Sequence, residues 1–104
     1  MALKEIQGDV DQWVNQYTVG YFPPLEILAR LTEENGEVAR EINHRFGSKK
    51  KKLTEKMGDL EEEIGDMIFT LVCLANSQEI NLDDAWKKVM NKCYGRDRKR
   101  FKRR

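Results

Sequence analysis

Cysteine, proline and histidine are scarce in this sequence: two, two and one among 104 residues. Cys73 falls in an apolar segment and Cys93 in a basic one, with no Cys-x-x-Cys spacing. That argues against a thiolate zinc site or a disulfide framework and for reduced thiols in the cytoplasm. The single histidine, His44, does not stand three residues after either of the acidic clusters described below, so the Glu-x-x-His pairs of a di-iron carboxylate bundle are missing. Long apolar runs are missing too. The stretch 67–75 (Met-Ile-Phe-Thr-Leu-Val-Cys-Leu-Ala) is only nine residues, against the eighteen or so of a membrane span, and the start Met-Ala-Leu-Lys-Glu has no signal-peptide core. No repeat of solenoid length is visible.

What is abundant is charge, at 36% of residues, distributed unevenly around a net charge of only +1. Residues 26–66 carry eleven acids, whereas residues 87–104 carry ten Lys or Arg and one acid. The length suits one domain spanning 1–104, small for burying its own core, with a basic tail from about residue 97.

Hydrophobic periodicity reads as four helices, an all-α fold built on a central antiparallel hairpin. The first spans about 3–17, with Leu3, Ile6, Val10, Trp13, Val14 and Tyr17 roughly on one face. A connection containing Gly20 and Pro23 follows, and Pro24 suits the first position of the second helix, which runs to about 46. Gly47 ends it, and Lys49 to Lys52 form a loop. The third helix is expected from 53 or 54 to 77, and Asn81 or a neighbour caps the fourth, with Asp83 and Asp84 in its first turn. Because residues 67–75 are apolar on nearly every side, that helix must be covered all round, which predicts an oligomer.

The hairpin carries the chemistry. Glu33-Glu34-Asn35-Gly36-Glu37 lies on its first arm and Glu61-Glu62-Glu63-Ile64-Gly65-Asp66 on its second. Positions 34 and 66 are equidistant from residue 50 in the lysine loop, and so are 37 and 63. Folding the arms back about that loop therefore levels four carboxylates. At about 100° per residue, Glu34, Glu37 and Glu41 flank the stripe Ile27, Leu31, Val38, Ile42, while Glu63, Asp66 and Asp59 flank Leu60, Ile64, Met67, Leu71, Ala75 in the same rotational sense. Height and side agree, so Glu34, Glu37, Glu63 and Asp66 should converge. Such a cluster repels itself unless protons or cations compensate, and oxygen-only ligands suit Mg²⁺, with Mn²⁺ as a substitute. A merely solvated acidic face would need no such match.

Gly36, between the candidate ligands, fits either close helix packing or room for a ligand. Lys92 and Arg96, one helical turn apart at the start of the basic segment, are candidates to hold phosphates. The same basic tail could instead bind nucleic acid nonspecifically.

The ordered pair Glu33-Glu34-Asn35-Gly36-Glu37 and, twenty-five residues later, Glu63-Ile64-Gly65-Asp66 resembles the Glu-Glu-x-x-Glu … Glu-x-x-Asp signature of MazG-like nucleotide pyrophosphohydrolases, in particular their short single-domain bacterial members. The likeness runs from about residue 25 to 100. It implies an all-α, dimeric or tetrameric enzyme that converts a nucleoside triphosphate to the monophosphate and pyrophosphate with Mg²⁺. By position it implies Glu34, Glu37, Glu63 and Asp66 as metal ligands and Glu33 as a group that orients water. Two other readings stand beside it: a helical binding protein that uses residues 92–104 for nucleic acid, and a structural bundle in which neutralising the carboxylates would raise stability.

Overall fold

Two prolines at residues 23 and 24 start the longest helix among the described residues. Pro24 occupies its first turn, where a missing N–H costs nothing, and Glu26 adds negative charge at the positive end of the helix dipole. The computed structural model describes residues 2–47 and 59–104, and these form α1 (Ala2–Val14), α2 (Pro24–Phe46), α3 (Leu60–Ser77) and α4 (Leu82–Tyr94), with no strand among them. The all-α expectation and the bounds of the second helix hold. At the far end of α2 the Gly47 N–H donates to Asn43 O at 2.9 Å, and a Cβ on Gly47 would sit 2.6 Å from that same oxygen. The close turn there requires glycine.

The other bounds shift for local reasons. The first helix stops at Val14 rather than near residue 17, because Gln16 N and Tyr17 N bond back only three residues, to Trp13 O and Val14 O. These tighter turns lead into Gly20, whose positive φ of 63° reverses the chain. The third helix begins at Leu60. Asp59 is extended (φ −118°, ψ 103°) and its carboxylate accepts from Glu62 N, so it caps the helix and leaves the flank on which it was expected with Glu63 and Asp66. The rest of the expected early part of this helix, and the lysine loop, lie outside the described residues. Asn81 caps α4 as expected, its side chain accepting from Asp83 N at 2.9 Å and Asp84 N at 3.3 Å.

Helix α2 packs along α3, and α1 packs against both α3 and α4. The core is small: Val10 and Val14 of α1 meet Val72 of α3, with Tyr21, Cys73 and Leu82 against them. Much of the α2–α3 apolar surface stays uncovered within one chain. On α3, Thr70, Val72 and Ala75 are buried, but Ile64, Ile68 and Leu71 keep 45–48% of their surface exposed. The shape agrees. A radius of gyration of 17.4 Å and extents of 51 × 45 × 24 Å describe a spread, thin molecule, whereas a compact chain of this length has a radius of about 13 Å.

Polar bonding fastens α1 where apolar burial is thin. The Gln7 side chain donates to Asn76 Oδ1 and Ile80 O, both at 2.8 Å, and accepts from Leu82 N at 2.9 Å. Asn76 Nδ2 in turn reaches Gln7 O, Asp11 Oδ1 and the Tyr21 hydroxyl oxygen at 3.0, 3.3 and 2.9 Å. Tyr21 donates its own proton to Asp11. Two side-chain amides, Gln7 and Asn76, thus tie α1, the connection before α2, and the α3–α4 link together. Asn76→Ala leaves several half-buried partners unsatisfied and should lower unfolding stability by about 2 kcal/mol. A urea melt that moves by less than a quarter of that would show the network to be incidental.

Candidate active site

Helical spacing places the acidic side chains. On α2, Ile27, Arg30 and Glu34 follow one another at three- and four-residue steps along one face, and on α3 so do Asp66, Phe69, Thr70 and Cys73. Both rows line one cleft of about 620 Å³, closed on its third side by Trp13, Val14 and the chain from Tyr17 to Phe22. Glu34 and Asp66 stand together at its α2–α3 wall, which is the height match expected of an antiparallel pair.

A carboxylate oxygen from each of Glu34, Glu63 and Asp66 lies within 4.8 Å of the others. Glu37, exposed on α2, stands close enough to Glu63 to act on its charge, so the fourth expected acid adjoins the trio without entering it. Burial raises the Glu34 carboxyl above the usual 4.5, and the charges of Asp66 and Glu37 add to this against a lowering by Arg30. Glu63 is raised as well, first by burial and then by Glu37, Asp66 and Glu34. One buried oxygen of Glu63 has no hydrogen-bond partner among the described residues. An oxygen-only donor set, mutual repulsion and that unsatisfied oxygen all fit a hard divalent cation.

The remaining candidates are placed differently. Glu33 is exposed on α2 beside the trio, outside its 4.8 Å radius. Lys92 lies in the last turn of α4, the helix that packs on α1, and Arg96 follows that helix with its guanidinium 3.2 Å from Asp97. Neither lines the cleft. Gly36 is exposed, and a Cβ there would meet nothing within 4 Å, so close packing within this chain is not its reason.

The cleft walls are mainly aromatic and aliphatic. Trp13 meets Phe69 edge-on at 5.7 Å and Tyr17 at 5.2 Å, and Phe22 and Ile27 continue the surface. Cys73 at the inner end has its thiol pushed up by burial, which makes it a poor nucleophile. Burial and the bond to Asp11 raise the Tyr21 phenol to about 12, so it remains a neutral donor. Arg30 escaped the sequence reading. A single arginine on an acidic helix looks like a solvated residue, and only its spacing four before Glu34 pointed inward.

A search against family models matches residues 22–101 to the MazG nucleotide pyrophosphohydrolase domain, with the whole acidic hairpin inside the match. The chain belongs to the MazG nucleotide pyrophosphohydrolase family. It is 54% identical over 103 residues to YpjD of Bacillus subtilis strain 168, covering 99% of this chain and 93% of that one. The crystal structure of B. subtilis YpjD superposes with a TM-score of 0.78 at 57% identity, over 86% of this chain and 92% of that one. The Bacillus-conserved MazG protein, a nucleotide pyrophosphohydrolase, superposes with 0.74 at 47% identity over 86% of each chain. This membership makes the chain an enzyme, a hydrolase acting on nucleotides, and the acidic cluster is the kind of site that a MazG divalent metal needs.

The raised carboxyls give the metal-free protein a signed pH dependence. Glu34 and Glu63 prefer their protons more when folded than when unfolded. Their contribution to stability is therefore full below the usual glutamate value of 4.5 and is lost as pH rises through the raised values. Glu63→Gln should melt higher than the parent at pH 8 in EDTA and show no such gain at pH 4. An equal difference at both pH values would mean that the cluster is not under electrostatic strain.

Proposed function

We propose that this chain hydrolyses nucleoside triphosphates to the monophosphate and pyrophosphate in the presence of Mg²⁺, for which Mn²⁺ can substitute. The observation that carries this reading is the convergence of Glu34, Glu63 and Asp66 at the wall of an aromatic cleft. In this reading Glu34, Glu37, Glu63 and Asp66 hold the metal. A divalent cation there supplies neutralisation of phosphate charge and a lowered pKa for water. Residues 1–104 act as one catalytic unit in the cytoplasm.

The chain's own residues have distinct tasks. The walls formed by Trp13, Phe22 and Phe69 take the nucleoside and exclude solvent from it. Glu33 orients the attacking water and receives its proton. The water oxygen bonds to the α-phosphorus as the bond from that phosphorus to the α,β-bridging oxygen breaks, and pyrophosphate leaves with the bonding pair. Lys92 and Arg96 bind the polyphosphate. Since they do not line the cleft of their own chain, they reach it from a neighbouring copy.

A homodimer or tetramer is part of the proposal. The uncovered row Ile64, Ile68, Leu71 and the large radius of gyration both favour it. Ile68→Glu should shift the protein to a smaller species in sedimentation, and an unchanged sedimentation coefficient would remove α3 from the interface.

Pyrophosphate release tests the chemistry. Glu34→Gln and Asp66→Asn should each lower turnover by at least about a hundredfold, on the order of 3 kcal/mol of barrier, while helicity is retained. Thermal melts should lose their response to Mg²⁺ in the same variants. Triphosphate turnover that survives EDTA and both substitutions would refute the site. The exposed basic residues after α4 also suit nucleic acid. Binding through them would weaken steeply with salt and be indifferent to Glu34→Gln.

A further inference from the structure

Among the described residues, Arg30 is the one cation that lines the cleft. It stands four residues before Glu34, about 6 Å along the helix, toward the start of α2. Across from it on α3, Phe69 and Thr70 stand at the matching height beyond Asp66, and Ile27 and Cys73 lie one turn deeper. The aromatic walls and Arg30 thus lie on one side of the Glu34–Asp66 pair. The neighbouring pair Glu37 and Glu63 lies on the other side, toward the loop end of the hairpin. A nucleoside triphosphate whose α-phosphorus sits at the carboxylates has its nucleoside on one side of that atom and its pyrophosphate on the other. The walled, apolar side fits the nucleoside. Arg30 then faces the base and sugar, away from the leaving group.

The hydrogen-bonding inventory of that space is lopsided. Thr70 already donates to Asp66 O at 3.0 Å. The Tyr21 hydroxyl donates to Asp11 and accepts from Asn76. Trp13 offers an N–H donor and no acceptor. Arg30 brings five N–H donors in a planar fork, and no ion pair or hydrogen bond of its side chain is found among the described residues. Tyr17, the third hydroxyl of the lining, is half-exposed. Arg30 acts on Glu34 through its charge, and its unfilled N–H donors favour a ligand edge made of acceptors.

We propose that Arg30 reads the base in this cleft, selecting nucleotides whose base turns carbonyl oxygen toward it, guanine and uracil or thymine, over adenine and cytosine. Guanine presents O6 and N7 to the guanidinium fork, and uracil and thymine present O4. Adenine and cytosine place an exocyclic amine at the same point, donor against donor, which leaves the guanidinium without an acceptor on the base. The inference rests on the carboxylates being the phosphate end of the site.

The test separates the two ideas. Calorimetric binding of GMP, UMP, AMP and CMP is measured beside kcat/KM for GTP, UTP, ATP and CTP, in the parent protein, Arg30→Gln and Arg30→Lys. The expected result is at least about tenfold tighter binding and higher kcat/KM for the carbonyl bases. Arg30→Gln, which adds an acceptor, should compress that ratio toward one, mainly through KM. Arg30→Lys should keep part of the preference. Equal kcat/KM for the four triphosphates in the parent overturns the base-reading role while leaving hydrolysis intact. A uniform loss for all four in Arg30→Gln also overturns it and makes Arg30 a phosphate contact. Conversely, Arg30-dependent selectivity among the monophosphates without any triphosphate turnover would uphold Arg30 and sink the hydrolase reading.

Discussion

The pairing of α2 with α3 is the constraint on which the rest depends, because it holds together groups that repel. Helix α2 packs along α3, with Ile27 and Ala75 buried and Leu31 and Met67 half-buried. The same contact forces Glu34, Glu63 and Asp66 within 4.8 Å. Burial and like charge then raise the carboxyls of Glu34 and Glu63. The hydrophobic pairing therefore stores an unfavourable electrostatic arrangement that protons relieve at low pH and that a divalent cation can relieve at neutral pH. That arrangement gives an acidic hairpin a use beyond solubility. A stable bundle alone would be better served by amides at these positions.

The cleft is the second consequence of that pairing. The faces of α2 and α3 that carry Glu34 and Asp66 continue into Ile27, Arg30, Phe69 and Cys73, so charged wall and apolar walls are parts of the same two helix faces. The third wall comes from the end of α1, through Trp13 and Val14, and from the connection between α1 and α2, whose Tyr21 is pinned to Asp11 and Asn76. The distant Gln7–Asn76 network thereby shapes a site that neither Gln7 nor Asn76 touches.

Some of this could be read directly from the residues. The hairpin arithmetic needs only residue numbers and the helical repeat, because Glu34 with Asp66 and Glu37 with Glu63 are set by local spacing plus one fold-back. The ends of α2 and the Asn81 cap were equally readable, since Pro24, Gly47 and Asn81 act through their own backbone chemistry. The start of α3 was not, because apolar periodicity runs on either side of Asp59 and only the backbone reveals that it caps. The Gln7–Asn76 bond joins residues 69 apart and leaves no periodic trace. Asn76 is occupied in this way, whereas Trp13 and Phe22 line the cleft. Arg30 was hidden by its surroundings, an isolated cation in a helix full of charge.

Charge segregation adds a last step to the argument. The acids gather at the hairpin while most of the excess cations follow α4, the helix that packs on α1. A lone copy thus presents its phosphate-repelling and phosphate-attracting surfaces in different places, with Arg30 the one cation among the described residues to line the cleft. The uncovered α3 row lies on the same thin molecule, one helix face away from the carboxylates. Covering that row with a second copy would bury apolar surface and bring a second set of charges near the first. The hydrophobic and electrostatic deficits of the single chain therefore call for the same remedy. An assembly that covered α3 but left the cleft without further cations would answer only the first of them.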